Sequence, residues 1–211
     1  MEVLVFVSLI ATTIITAIAP FVQSPKRMVQ VLFLQASAVG FVEQTYCIIK
    51  LLTGLTPEAL VDFLYAFVEW FVCAAFVPFI IYYGVTRTKC PSTKPALKNI
   101  HILSLICALV EIHLILGIFV QPWIPHRMET LILSTLMFNI SILTMIVHKD
   151  AIKILVGLNM AENSLYPLLV KSPVIFVPII LCAVILVNVV AIFVVIFAYQ
   201  TYNSIIVTDW R

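Results

Sequence analysis

Long apolar runs follow one another along this chain with little polar sequence between them. Seven can be drawn, at 2–22, 28–52, 60–85, 97–121, 129–148, 151–170 and 174–201. Each comes near or exceeds the roughly 20 apolar residues that a helix needs to cross a bilayer. The pattern predicts an all-α membrane protein with seven transmembrane helices. The third and seventh runs exceed the minimum, which predicts tilt or a helix continuing past the lipid. The connections are short, so no soluble domain is expected to hold an active site.

Composition agrees. Of 211 residues, 63% are hydrophobic and 10% charged, and the mean hydropathy is +1.17. Soluble domains average about 25% charged residues, so an oversized soluble core is excluded. Ala17-Ile18-Ala19 has the outline of a signal-peptidase site. The run nevertheless opens on Met1-Glu2 instead of basic residues, so it is expected to be a true span. The five cysteines, Cys47, Cys73, Cys90, Cys107 and Cys182, form no CxxC pair and no Cys/His ligand spacing. Four lie in apolar runs, where a free thiol behaves as a small hydrophobe. No metal, iron–sulfur group or other cofactor is expected. A net charge of +2 is too small to imply a nucleic-acid partner.

Lys and Arg set the orientation. With the N-terminus outside, the inner segments carry Lys26, Arg27, Arg87, Lys89, Lys94, Lys98, Lys149, Lys153 and Arg211, and the outer side carries Lys50, Arg127 and Lys171. The imbalance predicts an outside N-terminus and a cytoplasmic C-terminus. Trp123 is placed as an interfacial anchor at the outer end of the fourth span. The spans group as three, one and three: an N-terminal three-helix unit over 1–95, a linking helix within 96–127, and a C-terminal three-helix unit over 128–211. In both triplets a tight basic turn (Ser24-Pro25-Lys26-Arg27 and His148-Lys149-Asp150) leads into a helix with an amide a third of the way along, Gln35 and Asn159. A parallel internal repeat is one reading of this and chance likeness of apolar helices the other.

Four glutamates inside these runs change the picture from scaffold to chemistry. Glu43, Glu69, Glu111 and Glu162 each cost about 2.5–3.5 kcal/mol at a helix centre on insertion scales, and intramembrane carboxyls mark ion and proton pathways. In the sixth run Asn159, Glu162 and Asn163 stand at i, i+3 and i+4, so they share one helical face. That face is expected to meet a neighbouring helix or a hydrated seam, and interhelical amide bonding is the structural alternative to transport. Glu111 and His113, two residues apart, point about 200° away from each other and are not a pair. His113 is a proton shuttle or a satisfied packing residue. With Asn188 at mid-depth of the last run, the proposed proton pathway comprises Glu162, Asn159, Asn163, Asn188, Glu111, Glu43, Glu69 and His113. Gln35 and Asn139 are further bridging amides. The sequence shows no nucleophile–base pair or metal-ligand cluster, so no catalytic residues are expected in this chain itself.

Residues 128–211 resemble the K-type small subunit of respiratory complex I and the C subunit of multisubunit sodium/proton antiporters. The likeness rests on His148-Lys149-Asp150, on Leu155-Val156-Gly157-Leu158, on Asn163 six residues after the glycine, and on Tyr199-Gln200-Thr201-Tyr202 in the closing helix. Over nearly the whole length the chain looks more like the E-type membrane subunit of hydrogenase-4-like, energy-converting [NiFe] hydrogenases. That family has Glu-Asn where Glu162-Asn163 stand, and Val77-Pro78 fits its pattern. Complex I subunits of this type have carboxylates where Asn159 and, approximately, Asn188 stand here, so neither can be carried over.

The resemblance implies a non-catalytic subunit of a redox-driven proton or sodium pump in a prokaryotic plasma membrane. Its partners would be a large antiporter-like subunit in the bilayer, with [NiFe] hydrogenase and iron–sulfur subunits on the cytoplasmic side. A purely structural spacer in that assembly, or a subunit of a cation/proton antiporter, are the alternatives.

Overall fold

Nine α-helices account for the architecture of this computed structural model, which describes residues 2–54, 56–89, 92–120, 128–169 and 177–210. They are α1 (Glu2–Ile18), α2 (Pro25–Thr53), α3 (Pro57–Phe71), α4 (Val77–Thr88), α5 (Asn99–Val120), α6 (Met128–Val147), α7 (Ala151–Asn163), α8 (Tyr166–Leu169) and α9 (Val177–Tyr202). Among the described residues there is no strand, only an isolated bridge between Asp150 and Ile206. Trp123, Arg127 and Lys171 lie outside the described residues.

Local chemistry sets the helix ends. Pro25 opens α2 with its φ already helical, at a position where the missing N–H is no loss. Thr56 caps α3 by accepting from the Ala59 backbone N–H at 3.2 Å. Asp150 does the same for α7, its Oδ1 accepting from Ile152 and Lys153 at 2.9 and 3.3 Å. Lys89 closes α4 in the left-handed conformation, at φ 44°.

Among the described residues six helical stretches are long and apolar enough to cross a membrane: Leu4–Phe21, Pro25–Thr53, Pro57–Thr88, Asn99–Phe119, Met128–Val147 and Pro178–Tyr202. By helix length and composition the chain is a multi-pass membrane protein. The third stretch joins α3 and α4 through Val72–Phe76, wound as a π turn.

The sixth expected crossing, 151–170, is not one helix. α7 stops after 13 residues at Asn163, and Ser164-Leu165 turn into the four-residue α8. The reason is Pro167, which lacks an N–H and would drive its ring into the Asn163 carbonyl if α7 continued. The π turn ends two residues before Pro78, which has no N–H to offer the Ala74 carbonyl inside that turn. Both interruptions of regular helix therefore trace to proline, and they lie side by side.

α2 is the central post. It packs against α1, α3, the π turn, α4 and α7, while α6 lies against α1 and α7 and α4 against α9. The main core joins Leu32 of α2, Ile81 of α4, Val156 and Met160 of α7 and Ile192 of α9. Helices of the two triplets pack on one another: α1 on α6, α2 on α7 and α4 on α9. Gly157 makes the α6–α7 contact close, since a Cβ there would sit 2.6 Å from Met145 Cγ and 3.3 Å from the Ser141 carbonyl oxygen.

The short connections that hold most of the basic residues meet at one end. Thr93 N–H donates to Gln23 O, Ala96 N–H to Val147 O, Ala151 N–H to Ile205 O and Val207 N–H to Lys149 O. Lys153, assigned to the inner basic segments from sequence, is fully buried here. Its Nζ donates to Thr93 O at 2.6 Å and Thr93 Oγ1 at 2.7 Å. His148 and Asp150 are buried beside it. Burial, then the Lys153 charge, pushes the His148 imidazole down to about 4, partly offset by the Ala19 carbonyl. Burial pushes the Asp150 carboxyl up, against the pull of Lys153 and the α7 N–H groups.

Candidate functional site

Three of the four glutamates come from different helices to one region, and the fourth does not. Glu43 of α2 is 6% exposed, and Glu69 of α3 and Glu162 of α7 are half-buried. Glu69 is within electrostatic reach of both other carboxyls. Helical rise places them in depth: Glu162 is about 17 Å from the start of α7, Glu43 about 27 Å from the start of α2, and Glu69 about 18 Å from the opposite end of the bundle. Glu43 and Glu69 therefore stand near one level, with Glu162 roughly 10 Å nearer the basic end.

A hydrogen-bonded link occupies that interval. Tyr166, the first residue of α8, donates from its hydroxyl to Glu162 Oε1 at 3.2 Å. Cys73 Sγ, in the π turn and four residues after Glu69, donates to the Tyr166 hydroxyl at 3.7 Å. Both Cys73 and Tyr166 are buried. The two proline-driven interruptions thus supply the groups that join Glu69's helix to Glu162. Neither Cys73 nor Tyr166 was singled out from sequence; Pro78 and Pro167 were the signals that could have pointed there.

Close packing holds Glu43 and Glu69 together. A Cβ on Gly40 would lie 2.1 Å from Trp70 Cδ1, so the Trp70 indole rests directly on the α2 backbone one turn from Glu43. Only glycine allows this approach, and the residue before Trp70 is Glu69. Toward the end of α2, Lys50 pairs with Asp62. This pair is exposed. Among the described residues no lysine or arginine forms an ion pair with Glu43, Glu69 or Glu162.

The amides form closed bonds around this cluster. Asn163 Nδ2 donates to Gln35 Oε1 at 3.1 Å, and Gln35 Nε2 donates to the Met160 carbonyl at 3.0 Å. Asn159 and Asn188 bond each other reciprocally, and each also donates to its own helix, to Leu155 O and Val184 O. The shared face of Asn159, Glu162 and Asn163 is real, yet it serves three partners: α9, α8 and α2.

α5 stands apart. His113, 6% exposed, donates through Nδ1 to Leu109 O at 2.7 Å and accepts at Nε2 from Asn139 Nδ2 at 3.2 Å. Both ring nitrogens are used in an α5–α6 contact. Glu111 faces outward and is exposed. The two indeed point apart, and the structure does not bring either of them to the Glu43–Glu69–Glu162 cluster, since α5 packs on α6 and the Ala19–Phe21 turn. Among the described residues no group of three or more His, Cys, Asp or Glu side chains is placed to hold a metal ion.

No protein-family model matches the chain, and no curated protein or solved structure matches it significantly.

Proposed function

We propose that this chain is a membrane subunit of a redox-driven ion pump in a prokaryotic plasma membrane, and that Glu43, Glu69 and Glu162 pass protons within it. The observation that carries the reading is the position of Glu69 within electrostatic reach of buried Glu43 and half-buried Glu162, with Cys73 and Tyr166 bonded in sequence toward Glu162. Carboxyls in hydrocarbon are costly, and three converging ones with no paired cation among the described residues favour proton exchange over permanent charge. Tyr166 can accept and donate at once, so it can hand a proton along where two carboxyls are too far apart to touch.

The resemblance noted in the sequence extends this to an energy-converting hydrogenase or complex I-related assembly. Its large antiporter-like subunit would share the bilayer, and [NiFe] and iron–sulfur subunits would sit at the basic, cytoplasmic end. On that reading the broken α7–α8 is the sixth of seven crossings. Half-helices interrupted at mid-membrane are a recurring way to build an ion site.

The test is the whole assembly in proteoliposomes carrying Glu69→Gln, with Glu162→Gln beside it. Loss of proton uptake with redox turnover retained is the expected result. Full pumping in both variants would reject the pathway. The amide bonds favour one competing reading, a structural spacer: Gln35–Asn163 and Asn159–Asn188 are closed to each other and offer no continuous file. Unchanged pumping with lowered assembly yield is what that reading requires.

A further inference from the structure

α5 is packed on one side only. Ile102, Ile106 and His113 are buried, and Gly117 lies so close to α6 that a Cβ would sit 2.5 Å from Ile132 Cδ1. The opposite side is exposed along its length, including Leu103, Ile115 and Ile118. On that side Ser104, Cys107, Ala108 and Glu111 fall at helical spacing and are all exposed. Glu111 is about 18 Å from the start of a helix about 33 Å long, so it sits at mid-membrane. A carboxyl presented to hydrocarbon at that depth is the least favourable place for it on the whole helix.

We infer that this face of α5 docks a transmembrane helix of a different polypeptide, one that presents a Lys or Arg at mid-bilayer to Glu111. Charge complementarity selects the occupant. A lipid acyl chain offers no donor. A second copy of this chain would place Glu111 against another carboxyl-bearing face, and the described α5 carries no lysine or arginine to meet it. Ser104, Cys107 and Ala108 are small, so one turn and two turns from Glu111 the partner's backbone can come close, as small residues permit in membrane helix pairs. Ser104's hydroxyl already bonds Ile100 O, so Glu111 is the polar group left on this face for the partner. The inference is independent of proton transfer: it concerns a face of α5 that does not pack on the Glu43–Glu69–Glu162 cluster.

The experiment uses chain purified with its native membrane partners, comparing wild type with Glu111→Gln and Glu111→Lys by native mass measurement of the solubilised complex. The expected result is that one membrane subunit falls by roughly tenfold or more in Glu111→Lys and less in Glu111→Gln. Helical content of the isolated chain should stay constant, which separates docking from folding. A Lys-to-Glu or Arg-to-Glu change within a transmembrane helix of the lost subunit should restore Glu111→Lys and so identify the partner residue. Unchanged subunit composition in Glu111→Lys overturns the inference. So does formation of a mixed pair between differently tagged wild-type and Glu111→Lys copies, which would make the occupant a second copy of this chain. Retained proton pumping in a Glu69→Gln complex would leave this inference standing, so its failure and that of the proposed pathway are distinguishable.

Discussion

Asn159 on α7 and Asn188 on α9 bond each other twice, each Nδ2 lying 2.8 Å from the other's Oδ1. Each amide's second N–H goes to the carbonyl four residues back on its own helix. Both donors of both side chains are thereby used at 3% and 2% exposure. Together the two side chains form a clamp. A clamp of this kind joins half-helix α7 to α9 at a depth where α7 has little length left to pack.

Replacing one member leaves the other buried with unbonded polar atoms. Asn159→Leu or Asn188→Leu alone should therefore destabilise the chain by about 1–3 kcal/mol. The double Asn→Leu variant should lose clearly less than the sum, because both orphans disappear together. Denaturant titration of the chain in detergent reads the four species. Strict additivity would show that the two amides do not depend on each other.

Trp70 resting on Gly40 gives a second prediction, aimed at the carboxyl pair. Gly40→Ala must push the indole off α2 or force α2 and α3 apart, an overpacking cost of about 1–3 kcal/mol. Since Trp70 directly follows Glu69, the same change should slow proton uptake by the reconstituted assembly. Trp70→Ala in the Gly40→Ala background relieves the clash and should recover part of the stability. If Gly40→Ala is silent in both stability and uptake, the close approach has no bearing on the cluster.

How much of this was legible depends on the residue. Long apolar runs announced α1, α2, the α3–α4 rod, α5, α6 and α9 almost to their ends, because crossing a bilayer demands length and little else. The sixth run, 151–170, is as apolar as the others, and hydropathy has no way to register the ring of Pro167 meeting a carbonyl one turn back. The face shared by Asn159, Glu162 and Asn163 followed from helical spacing. Which helix each side chain meets did not, since that depends on packing between distant segments. Glu69 and Glu111 were both candidate pathway carboxyls in the sequence, Glu111 near mid-span and Glu69 either interior or close to the outer headgroups. Only the fold sets Glu69 between two carboxyls and turns Glu111 outward. Lys153 read as an ordinary basic residue of a turn because Thr93, which buries its ammonium, lies sixty residues away.

His148 supplies a stability test at the opposite end of the bundle. The side chain is 3% exposed, and neither ring nitrogen has a hydrogen bond of ordinary geometry, although the ring lies near the Ala19 carbonyl. Burial first and Lys153 second push the imidazole down from 6.5 to about 4 in the folded chain. Above pH 6.5 both folded and unfolded states hold it neutral, and it contributes nothing to pH dependence. Between 6.5 and 4 the unfolded chain takes up a proton that the folded chain refuses, so stability falls as the medium becomes more acid. The loss is complete below pH 4 and amounts to about 3 kcal/mol. Asp150, whose carboxyl burial pushes up, acts with the opposite sign at the acid end, so the comparison is between wild type and His148→Gln at each pH. The gap between the two proteins' unfolding free energies should shift by about 2–3 kcal/mol in favour of the variant from pH 7.5 to 4.5, measured in detergent. Parallel curves across that range would mean that the folded chain accepts the proton on His148 as readily as water does.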